Sequence, residues 1–99
     1  MPYLVHWTVN ARAGLARVRD FLAAADPGAA QKALDVIIAA TDILHEFPHA
    51  GRPADDLEPD YRELLIPFGG SGYTLVYELR GHTVVILALK HQLEAGYPD

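Results

Sequence analysis

The chain has 99 residues, 51% of them hydrophobic, which allows one domain over residues 1–99 and excludes a disordered chain. A net charge of −5 argues against bulk nucleic-acid binding. The absence of cysteine excludes disulfides, a thiolate nucleophile and Cys-ligated metals. The longest strongly apolar run, Val84–Leu89, is too short to cross a membrane, and no secretory leader is recognisable at the start. We therefore expect a cytoplasmic protein without membrane contact.

The charge is unevenly distributed along the chain. Residues 1–25 carry +2, residues 26–60 carry −6 and residues 61–99 carry −1. Basic groups can therefore share one face despite the acidic total, so the net charge disfavours a polyanionic ligand without excluding one.

The first half of the chain predicts a strand followed by a helical hairpin. Tyr3–Thr8 is rich in aromatic and β-branched residues, as strands are. Apolar residues then recur at helical spacing in two segments, Leu15, Val18, Leu22 and Ala25, then Ala30, Leu34, Ile37, Thr41 and Leu44. Thr8 or Asn10 can cap the first helix, while Asp26 and Pro27 suit the N-cap and first position of the second.

The second half predicts three strands after an acidic, proline-containing loop. Pro48 ends the second helix and opens this loop, which extends to Asp60 and is a candidate interaction loop. Strand-like runs follow at Tyr61–Pro67, Tyr73–Leu79 and Thr83–Leu89, and the last should be buried on both faces. The order β-α-α-β-β-β predicts an α+β fold, with the helical hairpin on one face of a mainly antiparallel four-stranded sheet.

Two motif matches do not predict an active site. His45–His49 spells H-E-x-x-H, but that zinc motif needs a continuous helix and Pro48 interrupts it. Ser71, the one serine of the chain, lies in a glycine-rich turn between strands instead of a strand-to-helix elbow, and we interpret it as a hairpin residue. We predict no metal and no cofactor.

Cationic and protonable groups near the strands form the remaining candidate site. They are Arg52, Arg62, Arg80, Lys90, His91 and Tyr97. Without a metal such groups suit phosphodiester cleavage, in which cations stabilise the transition state and His91 or Tyr97 moves protons for attack by a ribose 2′-hydroxyl. The same groups can grip an acidic protein surface, or can simply be solvated or ion-paired.

Four segments, taken with the element order, resemble the RelE/ParE superfamily of type II toxin–antitoxin toxins, also called plasmid-stabilisation proteins. The segments are DPGAA at 26–30, FPHAGRP at 47–53, RELLIP at 62–67 and VILALKHQLEAGY at 85–97. The resemblance covers nearly the whole chain in the same order.

This resemblance implies a bacterial growth inhibitor that a cognate antitoxin neutralises, in a hetero-oligomer that contacts operator DNA only through the antitoxin. RelE-like members cut ribosome-bound mRNA. Carried over to this chain, Arg62 and Lys90 would stabilise phosphate charge, with His91 or Tyr97 as the acid or base. ParE-like members poison DNA gyrase and need no nuclease residues.

Two departures from the nuclease pattern favour gyrase as the target. The chain is acidic, and Lys90 and Leu93 stand where many relatives carry arginine. We expect partner contacts at Arg52, Arg80, Leu93 and Tyr97. The alternatives are a ribosome-dependent endoribonuclease and an inert antitoxin-binding module that helps to repress its operon.

Overall fold

The computed structural model describes residues 2–54 and 60–92, which form two helices on one face of a five-stranded sheet. The elements are β1 (Leu4–Trp7), α1 (Val9–Ala23), α2 (Pro27–Ile43), β2 (Arg52–Pro53), β3 (Tyr61–Phe68), β4 (Ser71–Arg80) and β5 (Thr83–His91). The strand order is β1-β5-β4-β3-β2, with β1 parallel to β5 and the other pairs antiparallel. The predicted α+β class and the helical hairpin on a mainly antiparallel sheet are confirmed.

The prediction of four strands was too low by one, because β2 lies inside the stretch predicted as a loop. Arg52 pairs with Glu63, and Pro53 pairs with Arg62 at the edge of the sheet. An edge strand tolerates proline, since its missing N–H can face away from the ladder. A strand of two residues is also too short to show an alternating pattern in the sequence.

The strand buried on both faces is β4, not β5 as the sequence predicted. Residues 72–77 of β4 are all buried, whereas Val85 and Leu87 on β5 are only half-buried. The cause is position in the sheet. Long strands flank β4 on both sides, but β5 has only the short β1 beyond it.

The N-terminus of α1 is tied to a bulge in β5. Thr8 caps the helix, and its hydroxyl donates a hydrogen bond to the carbonyl of Ile86 at 2.8 Å. Leu87 is the extra residue of the bulge, without a register partner on β4. The Asn10 amide donates to the Leu87 carbonyl at 2.9 Å. The cap thus fixes where α1 starts on the sheet.

The second helix begins as predicted. The Asp26 carboxylate accepts the backbone N–H of Gly28 at 2.9 Å, and Pro27 occupies the first turn. This helix ends at Ile43, so His45 and His49 share no helical turn, and the Nδ1 of His45 donates to the Tyr3 carbonyl at 2.7 Å. The H-E-x-x-H match therefore lacks the geometry of a zinc motif.

A close approach of α1 to β5 closes the core. The largest fully buried side chains are Ile37, Leu44, Leu75, Tyr77, Val84, Ile86 and Leu89. A Cβ placed on Gly14 would lie only 2.6 Å from the Leu89 carbonyl oxygen, so no other residue fits between helix and strand there. In the described part of the chain, no helix has the length and hydropathy needed to cross a bilayer.

Tyr77 anchors the segment that leads into β2. Its buried hydroxyl donates to the Pro48 carbonyl at 2.7 Å and accepts the Gly51 N–H at 2.9 Å. Arg62 completes the anchor, because its Nε donates to the Gly51 carbonyl at 3.0 Å and its Nη2 contacts the His49 carbonyl at 3.4 Å. Burial raises the pKa of Tyr77, and the Gly51 hydrogen bond and the Arg62 charge partly oppose that rise.

We predict that Gly14→Ala lowers the free energy of unfolding by about 1–3 kcal/mol, because the added methyl group meets backbone that cannot yield. Urea denaturation followed by circular dichroism measures this loss. Gly70→Ala is the matched control, since no atom of the described residues, apart from its chain neighbours, lies within 4 Å of its Cβ position. Equal losses in the two variants would contradict the close approach.

We predict that Tyr77→Phe costs about 1–3 kcal/mol, since the Pro48 carbonyl and Gly51 N–H lose a buried partner. The pH dependence has a defined sign. A folded-state pKa raised above 10.0 gives stability that is complete below that pH and is lost as the pH rises through the folded pKa.

Urea titrations near neutral pH and above pH 10 measure both effects, and Tyr77→Phe should lose less stability at alkaline pH than the parent protein does. Tyr3→Phe is the control, because it keeps the ring that stacks on His82. Unchanged stability in Tyr77→Phe would contradict the anchor.

Candidate functional site

The sheet presents two faces, and its register assigns each candidate residue to one of them. The inner face packs on the helices through side chains that include Tyr73, Leu75 and Tyr77 of β4. The residues that alternate with these on β4, and their register partners, point the other way. We call this second set the outer face: Arg52, Tyr61, Glu63, Leu65, Thr74, Val76, Glu78, Arg80, Thr83, Val85, Ala88 and Lys90.

Three of the predicted cations lie on the outer face. Lys90 on β5 is opposite Thr74 near the start of β4, and Arg80 is the last residue of β4. Arg52 contacts the Glu63 carboxylate at 3.4 Å, and Arg80 pairs with Glu78. Both arginines are largely exposed, and ion pairs of this kind contribute little to stability. They are therefore available to a partner at low cost.

The other two described candidates lie on the inner face, at opposite ends. Arg62 is the register partner of Tyr77, and His91 is the partner of Tyr73. Four residues along a strand correspond to about 13 Å. The Arg62 guanidinium also faces the segment before β2, where it bonds the Gly51 carbonyl.

Arg62, Lys90 and His91 therefore do not meet at one site, because Lys90 lies on the outer face and the other two lie on the inner face. Lys90 and His91 are adjacent in sequence, and for that reason they point to opposite faces of β5. The catalytic role predicted for them stays a prediction. Leu93 and Tyr97 lie outside the described residues.

A groove of about 850 Å³ opens on the inner face, between the second half of α1 and the turn joining β3 to β4. Its walls are mainly apolar, from Val18, Leu22, Phe68 and Tyr73, and Phe21 lies at its edge with 80% of its surface exposed. Arg17, Asp20, Ser71 and His91 supply the polar lining.

Within this groove the structure forms a polar pair that the sequence did not suggest. The Ser71 hydroxyl oxygen lies 2.9 Å from His91 Nε2. The His91 ring meets the Tyr73 ring edge-on, with centroids 5.5 Å apart, and burial raises the pKa of Tyr73. Ser71 and Tyr73 share the inner face because they are two residues apart on β4, so correct strand register is the signal that would have revealed the pair.

No cluster for a metal is found in the described ranges, where no three histidine or carboxylate side chains gather closely enough to hold an ion. The functional groups found in these ranges are cations, the Ser71–His91 pair and exposed apolar side chains.

Exposed apolar side chains follow one flank of α2 and continue into the turn after it. Val36, Ile43 and Phe47 recur at i, i+7 and i+11, with 37%, 51% and 63% of their surfaces exposed. Asp35, Asp42 and Glu46 are exposed nearby on the same segment. An apolar stripe bordered by carboxylates suits an amphipathic segment that carries basic residues.

Comparison with known proteins identifies the family. The family model for the ParE toxin of type II toxin–antitoxin system, parDE, matches residues 5–96. The chain is 36% identical over 94 residues to toxin RelE1 of Caulobacter vibrioides, and these residues cover 95% of this chain and 98% of the relative. It is 34% identical over 85 residues to toxin RelE3 of the same organism, with 86% and 89% covered.

Two solved structures share the fold. One comes from the chromosomal ParDE TA system of P. aeruginosa, with a TM-score of 0.77 and 24% identity over 90% of this chain and 95% of that one. The other is the RelBE2 toxin–antitoxin complex of Mycobacterium tuberculosis, with a TM-score of 0.64 and 24% identity over 93% and 100%. The profile and the two relatives confirm the resemblance seen in the sequence: the chain belongs to the ParE toxin family of the RelE/ParE superfamily and is a toxin of a type II toxin–antitoxin system.

Proposed function

We propose that this toxin inhibits bacterial growth by binding and poisoning DNA gyrase in the cytoplasm. The observation that carries the proposal is the division of the nuclease candidates between the two faces of the sheet. A phosphodiester in its transition state needs cations and a proton carrier around one phosphate. Lys90 lies on the outer face, while Arg62 and His91 lie about 13 Å apart along the inner face.

The contacts that Arg62 and His91 make within the protein also support gyrase inhibition over RNA cleavage. The Arg62 guanidinium bonds the Gly51 carbonyl, and its contribution is to hold the segment before β2. His91 Nε2 is in contact with the Ser71 hydroxyl on the helix-covered side. Inhibition through protein contact needs no convergence of such groups on a phosphate.

A cognate antitoxin is the second part of the proposal. Both solved structures come from toxin–antitoxin systems. On this chain, the exposed flank of α2 offers apolar anchors beside carboxylates, and the outer face offers Arg52 and Arg80. Contact with operator DNA then runs through the antitoxin, within a toxin–antitoxin hetero-oligomer. Leu93 and Tyr97, outside the described residues, are further proposed contacts.

The ribosome-dependent endoribonuclease is the second candidate function. Its support is the similarity to the two Caulobacter toxins, both of which are named RelE. This candidate assigns phosphate contacts to Arg62 and Lys90 and proton transfer to His91 or Tyr97. An inert antitoxin-binding module is the third.

Expression in a bacterial host without antitoxin separates the three candidates. We expect growth arrest with induction of an SOS reporter while pulse-labelled protein synthesis continues, because a poisoned gyrase damages DNA before it affects translation. Immediate loss of translation with cut transcripts would instead establish the nuclease, and healthy growth with soluble protein would leave only the binding module.

Lys90→Met sharpens this comparison, since it removes the charge and keeps most of the side-chain length. We expect the variant to arrest growth as the parent protein does, because gyrase binding does not require a cation that contacts phosphate at position 90. Loss of arrest in a soluble, folded variant would favour the nuclease.

For the antitoxin contact, we predict that the double variant Arg52→Ala, Arg80→Ala raises the Kd by about 3–10-fold, mainly through slower association at low salt. Surface plasmon resonance with the purified antitoxin measures this change in Kd and in the association rate. Glu78→Gln is the control, because it removes the carboxylate paired with Arg80 and leaves both cations in place. An unchanged Kd in the double variant would exclude Arg52 and Arg80 from the interface.

A further inference from the structure

The Ser71–His91 pair has the geometry of a nucleophile next to its base. A serine hydroxyl is a poor nucleophile until a neighbouring group accepts its proton, and an imidazole nitrogen at hydrogen-bond distance is the usual acceptor. Here Ser71 Oγ and His91 Nε2 are 2.9 Å apart, across the junction of β4 and β5.

The His91 ring is held in place by its surroundings. The Tyr73 ring lies edge-on to it, at an interplanar angle of 82°. The next residue, Gln92, donates its backbone N–H to the Gly72 carbonyl at 2.9 Å, which pins the end of β5 to the start of β4. The imidazole therefore meets the hydroxyl from a fixed backbone position.

Ser71 and His91 both line the groove described above. Among residues 2–54 and 60–92, no atom beyond the chain neighbours lies within 4 Å of the Cβ positions of Gly69 and Gly70, so these residues leave the turn open. A Cβ placed on Gly72 would collide with the Ile66 carbonyl oxygen, so the backbone next to Ser71 is closely packed against β3. This turn borders the groove of about 850 Å³, whose walls are mainly apolar.

We propose that Ser71 and His91 form an acyl-accepting pair for small apolar esters that enter this groove, an activity separate from the proposed action on gyrase. Ser71 Oγ forms a bond to the acyl carbon and the ester C–O bond breaks. The hydroxyl proton passes to His91 Nε2 and from there to the departing alkoxide, which leaves as an alcohol. Water then attacks the acyl-serine, His91 takes its proton and returns one to Ser71, and the carboxylic acid leaves.

An alkyl fluorophosphonate tests this proposal directly on the full-length protein. The Ser71 oxygen displaces fluoride from phosphorus while His91 accepts the proton, so the protein gains one phosphonyl group. We expect a single adduct by intact mass spectrometry, located on Ser71 by peptide mapping. Ser71→Ala should give no adduct. His91→Gln keeps a hydrogen-bonding side chain but cannot act as the base, and it should react at least about tenfold more slowly.

A second measurement does not depend on any variant. The parent protein unfolded in urea should lose the reaction, because the two groups then separate. Absence of an adduct on the folded protein, reaction at tyrosine instead of Ser71, or equal rates in the parent, unfolded and His91→Gln forms would each overturn the proposal. Hydrolysis of p-nitrophenyl butyrate, lost in Ser71→Ala, would extend the result from acylation to turnover.

Discussion

Side chains on a β-strand alternate between two faces, and in this protein the helices cover one of those faces. The proposed functions depend on that constraint, because it decides which side chains can come into contact. Lys90 and His91 are neighbours in the chain, yet the alternation separates them across the sheet. Ser71 and His91 are 20 residues apart, and the same alternation brings them into contact.

The alternation has consequences only because the helical layer is fixed. Thr8 and Asn10 bind the carbonyls at the β5 bulge, and Gly14 allows α1 to approach Leu89 closely. At the other end of the sheet, the buried Tyr77 hydroxyl and Arg62 hold the segment that leads into β2. Arg62, which was expected to bind phosphate, thus holds backbone carbonyls instead. This structural role supports the proposal that the toxin acts through protein contact.

Much of the fold could be predicted from the sequence because its signals are local. Helical spacing, the Asp26-Pro27 helix start and the strand-like runs each depend on a few neighbouring residues. The two-residue β2 and the central position of β4 could not be predicted, since they depend on which strands pair and not on composition. The contact between Ser71 and His91 could not be predicted for the same reason. Chemical type singled out Arg62, Lys90 and His91, but only strand register shows which face each occupies.

The proposal that the toxin poisons DNA gyrase is tested most directly by a DNA cleavage assay with purified gyrase, plasmid DNA, ATP and the purified toxin. We predict that the toxin causes double-strand breaks that remain covalently joined to gyrase after denaturation, with a matching loss of supercoiling. Cut mRNA on programmed ribosomes, with gyrase working normally at the same toxin concentration, would contradict it.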